Sequence, residues 1–270
     1  MTTRLDAAVA ARGLARSRTH AAQLIDAGVV SVDGTAIVKA SARVADDAVI
    51  EVAASDHYVS RAAHKLIAGL DSFEIDVSGR LALDMGASTG GFTQVLRERG
   101  ADPVIAVDVG HGQLAGPVAG DRGVIAVEGF NVRYMTPESL AEAAGITGAP
   151  RVITGDLSFI SLAHVLPAVA AVSAPGTEIV LLIKPQFEVG RTGVREGLVT
   201  HPTRRADAVA GVLWSAWDVG LGTYGVIASP IVGTHGNAEF VAWFRSQRAD
   251  EDAGNPTEWV STVNRLAGAP

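Results

Sequence analysis

Asp156 and Lys184 each follow directly on an apolar run, Val152-Ile153-Thr154-Gly155 and Ile179-Val180-Leu181-Leu182-Ile183, that reads as a buried strand. A charged residue at a strand end ordinarily meets solvent. Here both would open into the crevice where a doubly wound sheet holds its ligands, beyond the carboxyl ends of its strands. Glu239, at the start of the run 238–244, joins them if that last strand runs antiparallel to its neighbours. Lys65 lies on a helix entering the same domain. Lysine can give up its proton in a tuned site, whereas arginine stays charged. Of the 22 basic residues only Lys39, Lys65 and Lys184 are lysines, and two of the three fall in this constellation. Such a set can hold or move a proton, or stabilise a developing charge.

A second constellation lies upstream. The strand 80–84 runs into Asp84-Met85-Gly86-Ala87-Ser88-Thr89-Gly90-Gly91-Phe92-Thr93. This is neither a Walker loop, which needs Gly-Lys-Ser/Thr, nor the G-x-G-x-x-G of dinucleotide enzymes. Glycines let backbone approach a ligand closely, and the amides opening the next helix favour polar acceptors. Asp108 closes the following strand 24 residues later, where a carboxylate can accept both ribose hydroxyls of a nucleoside. Glu128 closes the third strand. No cluster of Lys or Arg surrounds the loop to neutralise a pyrophosphate, which favours S-adenosylmethionine over a dinucleotide. The expected cofactor contacts are Asp84, Gly86, Ala87, Ser88, Gly90, Gly91, Phe92, Asp108 and Glu128, with Asp156 bordering the methionine end. A purely structural glycine turn is the alternative.

These positions demand an ordered scaffold. Apolar strands at 80–84, 103–107, 124–127, 151–155, 178–183, 223–228 and 238–244 alternate with helical stretches at 61–72, 91–99, 136–144, 161–173 and 203–219. That is the pattern of an α/β fold, a Rossmann-like, mostly parallel sheet with helices on both faces. A small α+β module precedes it. Leu5 and Val9 mark a helix over 4–13 that Gly13 stops, and Ser17 caps a second helix over 18–27. Val29–Val32 turns at Asp33-Gly34, a hairpin signal, and Val49–Val52 makes the last strand. The boundaries read as 1–55 for the module, 56–60 for a linker and 61–270 for the large domain.

Charge separates the two parts. Residues 1–65 carry eight basic and seven acidic side chains, residues 66–270 fourteen and twenty-two, within a net charge of −7. The small module, with Arg4, Arg12, Arg16 and Arg18 on its helical part, is the better contact for a polyanion. The absence of cysteine excludes a disulfide scaffold, a thiolate zinc site and a cysteine nucleophile. The sequence begins without an apolar signal core and holds no uncharged apolar run of about 18 residues. A cytoplasmic location with no membrane partner is expected.

The run Arg16–Gly34 resembles the RNA-binding module of a primary small-subunit ribosomal protein, found also in pseudouridine synthases and tyrosyl-tRNA synthetases. Its arginines, here Arg4, Arg16 and Arg18, are then expected on RNA phosphates. The order Lys65, Asp156, Lys184, Glu239 resembles the catalytic tetrad of RNA ribose 2′-O-methyltransferases of the heat-shock rRNA type. Val59-Ser60-Arg61-x-x-x-Lys65-Leu66, the glycine loop, Asp108-Val-Gly-x-Gly-Gln-Leu114, Asp156-Leu-Ser-Phe-Ile-Ser-Leu162 and Leu182-x-Lys-Pro-Gln-Phe-Glu188 extend the likeness along nearly the whole chain. The chain is identified as a member of the hemolysin/TlyA family of rRNA 2′-O-methyltransferases. The resemblance implies a class I methyltransferase sheet, S-adenosylmethionine as cofactor, no metal, and methylation of cytidine ribose in ribosomal RNA or a ribosomal subunit. It departs at the linker, where actinobacterial relatives carry Arg-x-Trp-Val and this chain has Asp56-His57-Tyr58-Val59, and at His111, where tyrosine is common. A non-catalytic RNA-binding protein and a membrane-lytic hemolysin are the rival readings.

Overall fold

The computed structural model describes residues 2–15, 17–26, 28–52, 57–190, 196–233, 236–246 and 254–270. Arg16 and Asp56 therefore lie outside the described residues. The chain divides into two compact units, Met1–Arg61 with Thr234–Gly236, and Ala62–Gly233 with Asn237–Pro270.

In the first unit, strand β1 (Thr2–Arg4) leads into helices α1 (Leu5–Ala11) and α2 (Arg18–Asp26). Strands β2 (Val30–Val32), β3 (Thr35–Ala36), β4 (Arg43–Ala45) and β5 (Ile50–Val52) follow. β1 pairs with β4, and β2 lies between β3 and β5, all antiparallel. Ser17 Oγ accepts the His20 amide at 3.1 Å, the cap its position predicts. Asp33 and Gly34 both take positive φ, 49° and 78°, as a two-residue hairpin turn requires. Leu5, Val9, Ala21, Ile25 and Val30 are fully buried and form the small core. Arg12 donates to the carbonyls of Asp46 and Ala48, so it braces the β4–β5 turn.

The second unit opens with α3 (Ala63–Ser72) and continues β6 (Ala82–Met85), α4 (Gly91–Glu98), β7 (Val104–Asp108), α5 (Gly116–Ala119) and β8 (Val124–Glu128). Then come α6 (Pro137–Ala144), β9 (Val152–Gly155), α7 (Leu166–Val172), β10 (Glu178–Ile183), α8 (Pro185–Glu188), α9 (Pro202–Trp217), β11 (Leu221–Ala228), β12 (Phe240–Ser246) and α10 (Val260–Ala267). The sheet order is β11-β12-β10-β9-β6-β7-β8. β6 to β10 run parallel, and β12 is antiparallel to both β10 and β11. Strand order reverses between β6 and β9, the place where such sheets open a ligand crevice. The Ile183–Phe240 pairing sets the residue before β12 beside the residue after β10.

Leu83, Ile153, Ile179, Leu181 and Ile183 are at most 1% exposed and anchor the sheet core, each contributing about 1.5–3 kcal/mol through burial. Several elements differ from the sequence reading, which has no counterpart for β1, β4, α5 or α8. The helix expected over 161–173 is a 3₁₀ turn at Leu162–His164 followed by α7, with Pro167 in the first turn of that helix. Proline lacks the amide that a continuous helix would use there. α10 has no counterpart in the sequence reading, although Val263 and Ala267 form a buried i, i+4 pair before Gly268. Among the described residues no helix is long and apolar enough to cross a membrane.

Candidate active site

The glycine loop turns the chain from β6 into α4. Gly86 and Ala87 amides both donate to the Val107 carbonyl, at 2.9 and 3.1 Å, pulling the loop against β7. Gly86 adopts φ 75°, and a Cβ there would stand 3.0 Å from Leu157 Cδ2 and 3.2 Å from the Asp156 carbonyl. Only glycine keeps that space open. A cleft of about 470 Å³ lies alongside, lined among others by Gly86, Ser88, Asp108, Asn131, Asp156 and Ser158. This volume falls within the range of small-molecule sites. Asp108 is held in place by the Ser88 amide on Oδ2 at 2.9 Å and the Gly110 amide on Oδ1 at 2.8 Å.

Beside the cleft, four strand-end and helix residues meet, of which Asp156 lines it while Lys65, Lys184 and Glu239 lie behind. Lys65 Nζ donates to Glu239 Oε2 at 2.7 Å and stands 3.6 Å from Asp156 Oδ2. Lys184 Nζ pairs with Asp156 Oδ1 at 2.5 Å and donates to Ser158 Oγ at 2.8 Å. Lys65, Lys184 and Glu239 are buried. Two cations and two anions balance, which burial in low dielectric requires. Gly233 makes room for this arrangement, since a Cβ there would sit 2.0 Å from Glu239 Oε1. The Ser229 amide fixes the Glu239 backbone carbonyl at 2.9 Å.

The other residues singled out in the sequence fall in different places. Asp84 is buried behind the loop and does not line the cleft. It accepts the Thr93 hydroxyl at 2.6 Å and the Thr154 hydroxyl at 3.1 Å. Burial pushes its carboxyl up to about 6, against the pull of those hydroxyls. Ala87, Gly90, Gly91 and Phe92 are likewise buried and outside the lining. Glu128 is exposed and accepts the Gly112 amide at 2.6 Å, so it braces the loop after β7 rather than facing the cleft. The sequence reading missed Ser158, Asn131 and Phe159. Ser158 and Phe159 belong to the Asp156–Leu162 motif already quoted, so proximity in the chain was the available signal.

In the first unit, Arg4 and Arg18 converge on one carboxylate. Asp6 takes Arg4 Nε and Nη2 at 3.1 and 3.0 Å and Arg18 Nη2 at 3.0 Å. The Arg4 hydrogen bonds, helped by Arg18, hold the Asp6 carboxyl well below the usual carboxylate range.

A family model described as FtsJ-like methyltransferase matches residues 58–246. A Mycobacterium tuberculosis protein named 16S/23S rRNA (cytidine-2′-O)-methyltransferase TlyA is 47% identical, over 90% of this chain and 90% of its own. The chain belongs to the hemolysin/TlyA family of FtsJ-like methyltransferases. Hemolysin A of Brachyspira hyodysenteriae, 36% identical over 89% of this chain and 99% of its own, falls in the same group of relatives. A solved structure from Streptococcus thermophilus that bears the hemolysin name aligns with a TM-score of 0.75 at 34% identity, covering 99% of this chain and 96% of that one. An S4 domain model matches residues 3–50. The FtsJ-like match of this family member spans Lys65, Asp156, Lys184 and Glu239, and its S4 match spans Asp6, Arg4 and Arg18.

Proposed function

We propose that this protein methylates the ribose 2′-hydroxyl of cytidine in ribosomal RNA, with S-adenosylmethionine as donor. The observation that carries the reading is the Lys65–Asp156–Lys184–Glu239 constellation, in which three members are buried and Asp156 lines a nucleoside-sized cleft. The cleft suits the donor. Gly86 leaves a cradle that a Cβ would fill, and Asp108 is an aimed carboxylate at the end of the second strand. The lining residues include no lysine or arginine that a pyrophosphate would need. Asp108 would accept the ribose hydroxyls, Gly86 and Ser88 would border the nucleoside, and Asp156 the methionine end. Asp84, Ala87, Gly90, Gly91 and Phe92 would shape the loop from behind, and Glu128 would steady its neighbour. When bound, S-adenosylmethionine supplies a methyl group activated by a sulfonium.

A 2′-hydroxyl is a poor acid, so its proton must be taken up or its forming alkoxide stabilised. Lys184 is the group assigned to that task. Asp156 and Ser158 aim its Nζ, Lys65 supports Asp156, and Glu239 anchors Lys65. Holding the hydroxyl in line accounts for a large part of the acceleration. Arg4, Arg16 and Arg18 would dock RNA phosphates, which sets affinity and register. In this reading residues 1–55 deliver RNA, 56–60 connect, and 61–270 carry the chemistry, in the compartment where ribosomal RNA resides.

The test is transfer of labelled methyl from S-adenosylmethionine to isolated ribosomal subunits by the purified protein. Alkali-resistant linkages at cytidine are expected, because a 2′-O-methyl group blocks strand cleavage. Label found only on bases, or no label on either subunit, would refute the reading.

A further inference from the structure

Two sequence motifs outrun the residues used so far. The loop after β9 continues past Asp156 to Ser161 and Leu162, and the loop after β10 continues past Lys184 to Glu188 on α8. The structure joins their far ends. Glu188 Oε2 accepts the Ser161 hydroxyl at 2.5 Å, and its Oε1 accepts the Leu162 amide at 3.0 Å. Between this junction and the Lys184–Asp156 pair, the Phe159 and Phe187 rings lie 5.3 Å apart. The two loops are thus fastened at both ends with an aromatic contact between.

Phe159 shows what the fastening does. It holds φ at 64°, a left-handed conformation that a bulky side chain rarely adopts, while the residue is 92% exposed. The Phe187 contact leaves it almost wholly exposed. Strain of this kind persists only where the flanking structure over-determines the backbone. One flank is Ser158, held by Lys184; the other is Ser161-Leu162, held by Glu188. Burial raises the Glu188 carboxyl above its ordinary range, opposed by those two donors, so the group is kept in a costly place with both oxygens engaged.

We propose that Glu188 is a positioning residue for the reacting centre: by stapling the β10 loop to the β9 loop it sets where Lys184 meets Asp156 and Ser158. This rests on the assignment of Lys184 and Asp156 to the chemistry. A brace that served only folding would lower the melting temperature and leave turnover intact. A positioning staple should lower kcat, because misplacement of the charged groups weakens only the transition state.

The test compares E188A, E188Q, S161A and K184A in the full-length protein, with ribosomal subunits and S-adenosylmethionine. E188A should lose about ten- to a hundredfold in kcat, with KM for RNA and calorimetric cofactor affinity within about twofold of wild type. E188Q keeps an acceptor for the Leu162 amide and should recover most of the loss. Hydrogen exchange at the Leu162 amide should quicken in E188A and not in E188Q. If E188A does not fold, S161A decides, with a loss of roughly threefold confined to kcat. Wild-type kcat in E188A, or in S161A where E188A is unfolded, overturns the proposal, as does a loss carried wholly by KM. K184A separates the two levels. If it is inactive while E188A is normal, only the staple fails; if K184A is active, the assignment of the centre fails with it.

Discussion

In the N-terminal unit Asp6 bridges Arg4 and Arg18, whose side chains remain 45% and 61% exposed; at the sheet edge Asp156 bridges Lys65 and Lys184, whose side chains are 7% and 10% exposed. The same device, one carboxylate between two cations, serves two ends. Exposed guanidiniums keep free donors toward solvent, where a phosphate backbone can reach them. Buried ammoniums are shielded from solvent, where burial sharpens their electrostatic interactions. In the proposed reading cation type follows the same division, arginine where a fork would meet phosphate and lysine where a compact charge or a proton would be wanted.

The sharpest break between the two is stability. Asp156→Ala would leave two buried lysines with Glu239 alone, an uncompensated charge costing about 3–5 kcal/mol. Asp6→Ala frees two arginines that water already reaches, and should cost clearly less. Chemical denaturation of both variants checks this, and equal losses would erase the distinction. Next in size is cofactor binding. Asp108→Ala removes an aimed acceptor and should weaken S-adenosylmethionine by about tenfold or more, read by calorimetry, whereas the Arg4→Ala/Arg18→Ala double variant should bind it normally. That double variant should instead weaken RNA and lower the slope of log affinity against log salt by about one to two. An unchanged slope would remove the arginines from the interface.

The smallest effect is one of sign with pH. Asp6 has its folded pKa lowered by Arg4 and Arg18, so its stabilisation is present above the unfolded value near about 4 and fades as pH falls below it. Asp84 is raised by burial to about 6, so the folded form holds that proton more tightly and stability falls as pH rises from about 4 to about 6. Melting curves of D6N and D84N across pH 3 to 7 should therefore differ from wild type with opposite slopes. Slopes of one sign would contradict the contrast.

Much of the scaffold is legible in the sequence. The succession of strands along the chain and the ends of β9 and β10 follow from apolar runs punctuated by Asp156 and Lys184, because a buried strand advertises itself and its exit; the order of strands across the sheet and the direction of β12 come from the fold. What was not readable depends on direction. Asp84 heads the glycine loop in sequence, yet it faces inward to Thr93 and Thr154, a choice made by packing across β6, α4 and β9. The convergence of Arg4 and Arg18 on Asp6 depends on how α1 and α2 lie against each other. Ser158, two residues beyond Asp156, has the spacing of any loop serine, and only the fold shows that Lys184 reaches it.

Lys184 itself gives the most direct test, through the rate of ribose methylation by K184R beside K184A. Arginine keeps the charge but cannot give up a proton, and its planar head does not fit where Asp156 and Ser158 hold a compact ammonium. Both variants should lose on the order of 10² or more in rate, with RNA and cofactor affinity near wild type. A K184R protein that methylates ribosomal RNA at a near-normal rate would mean that Lys184 is only a structural charge at a strand end.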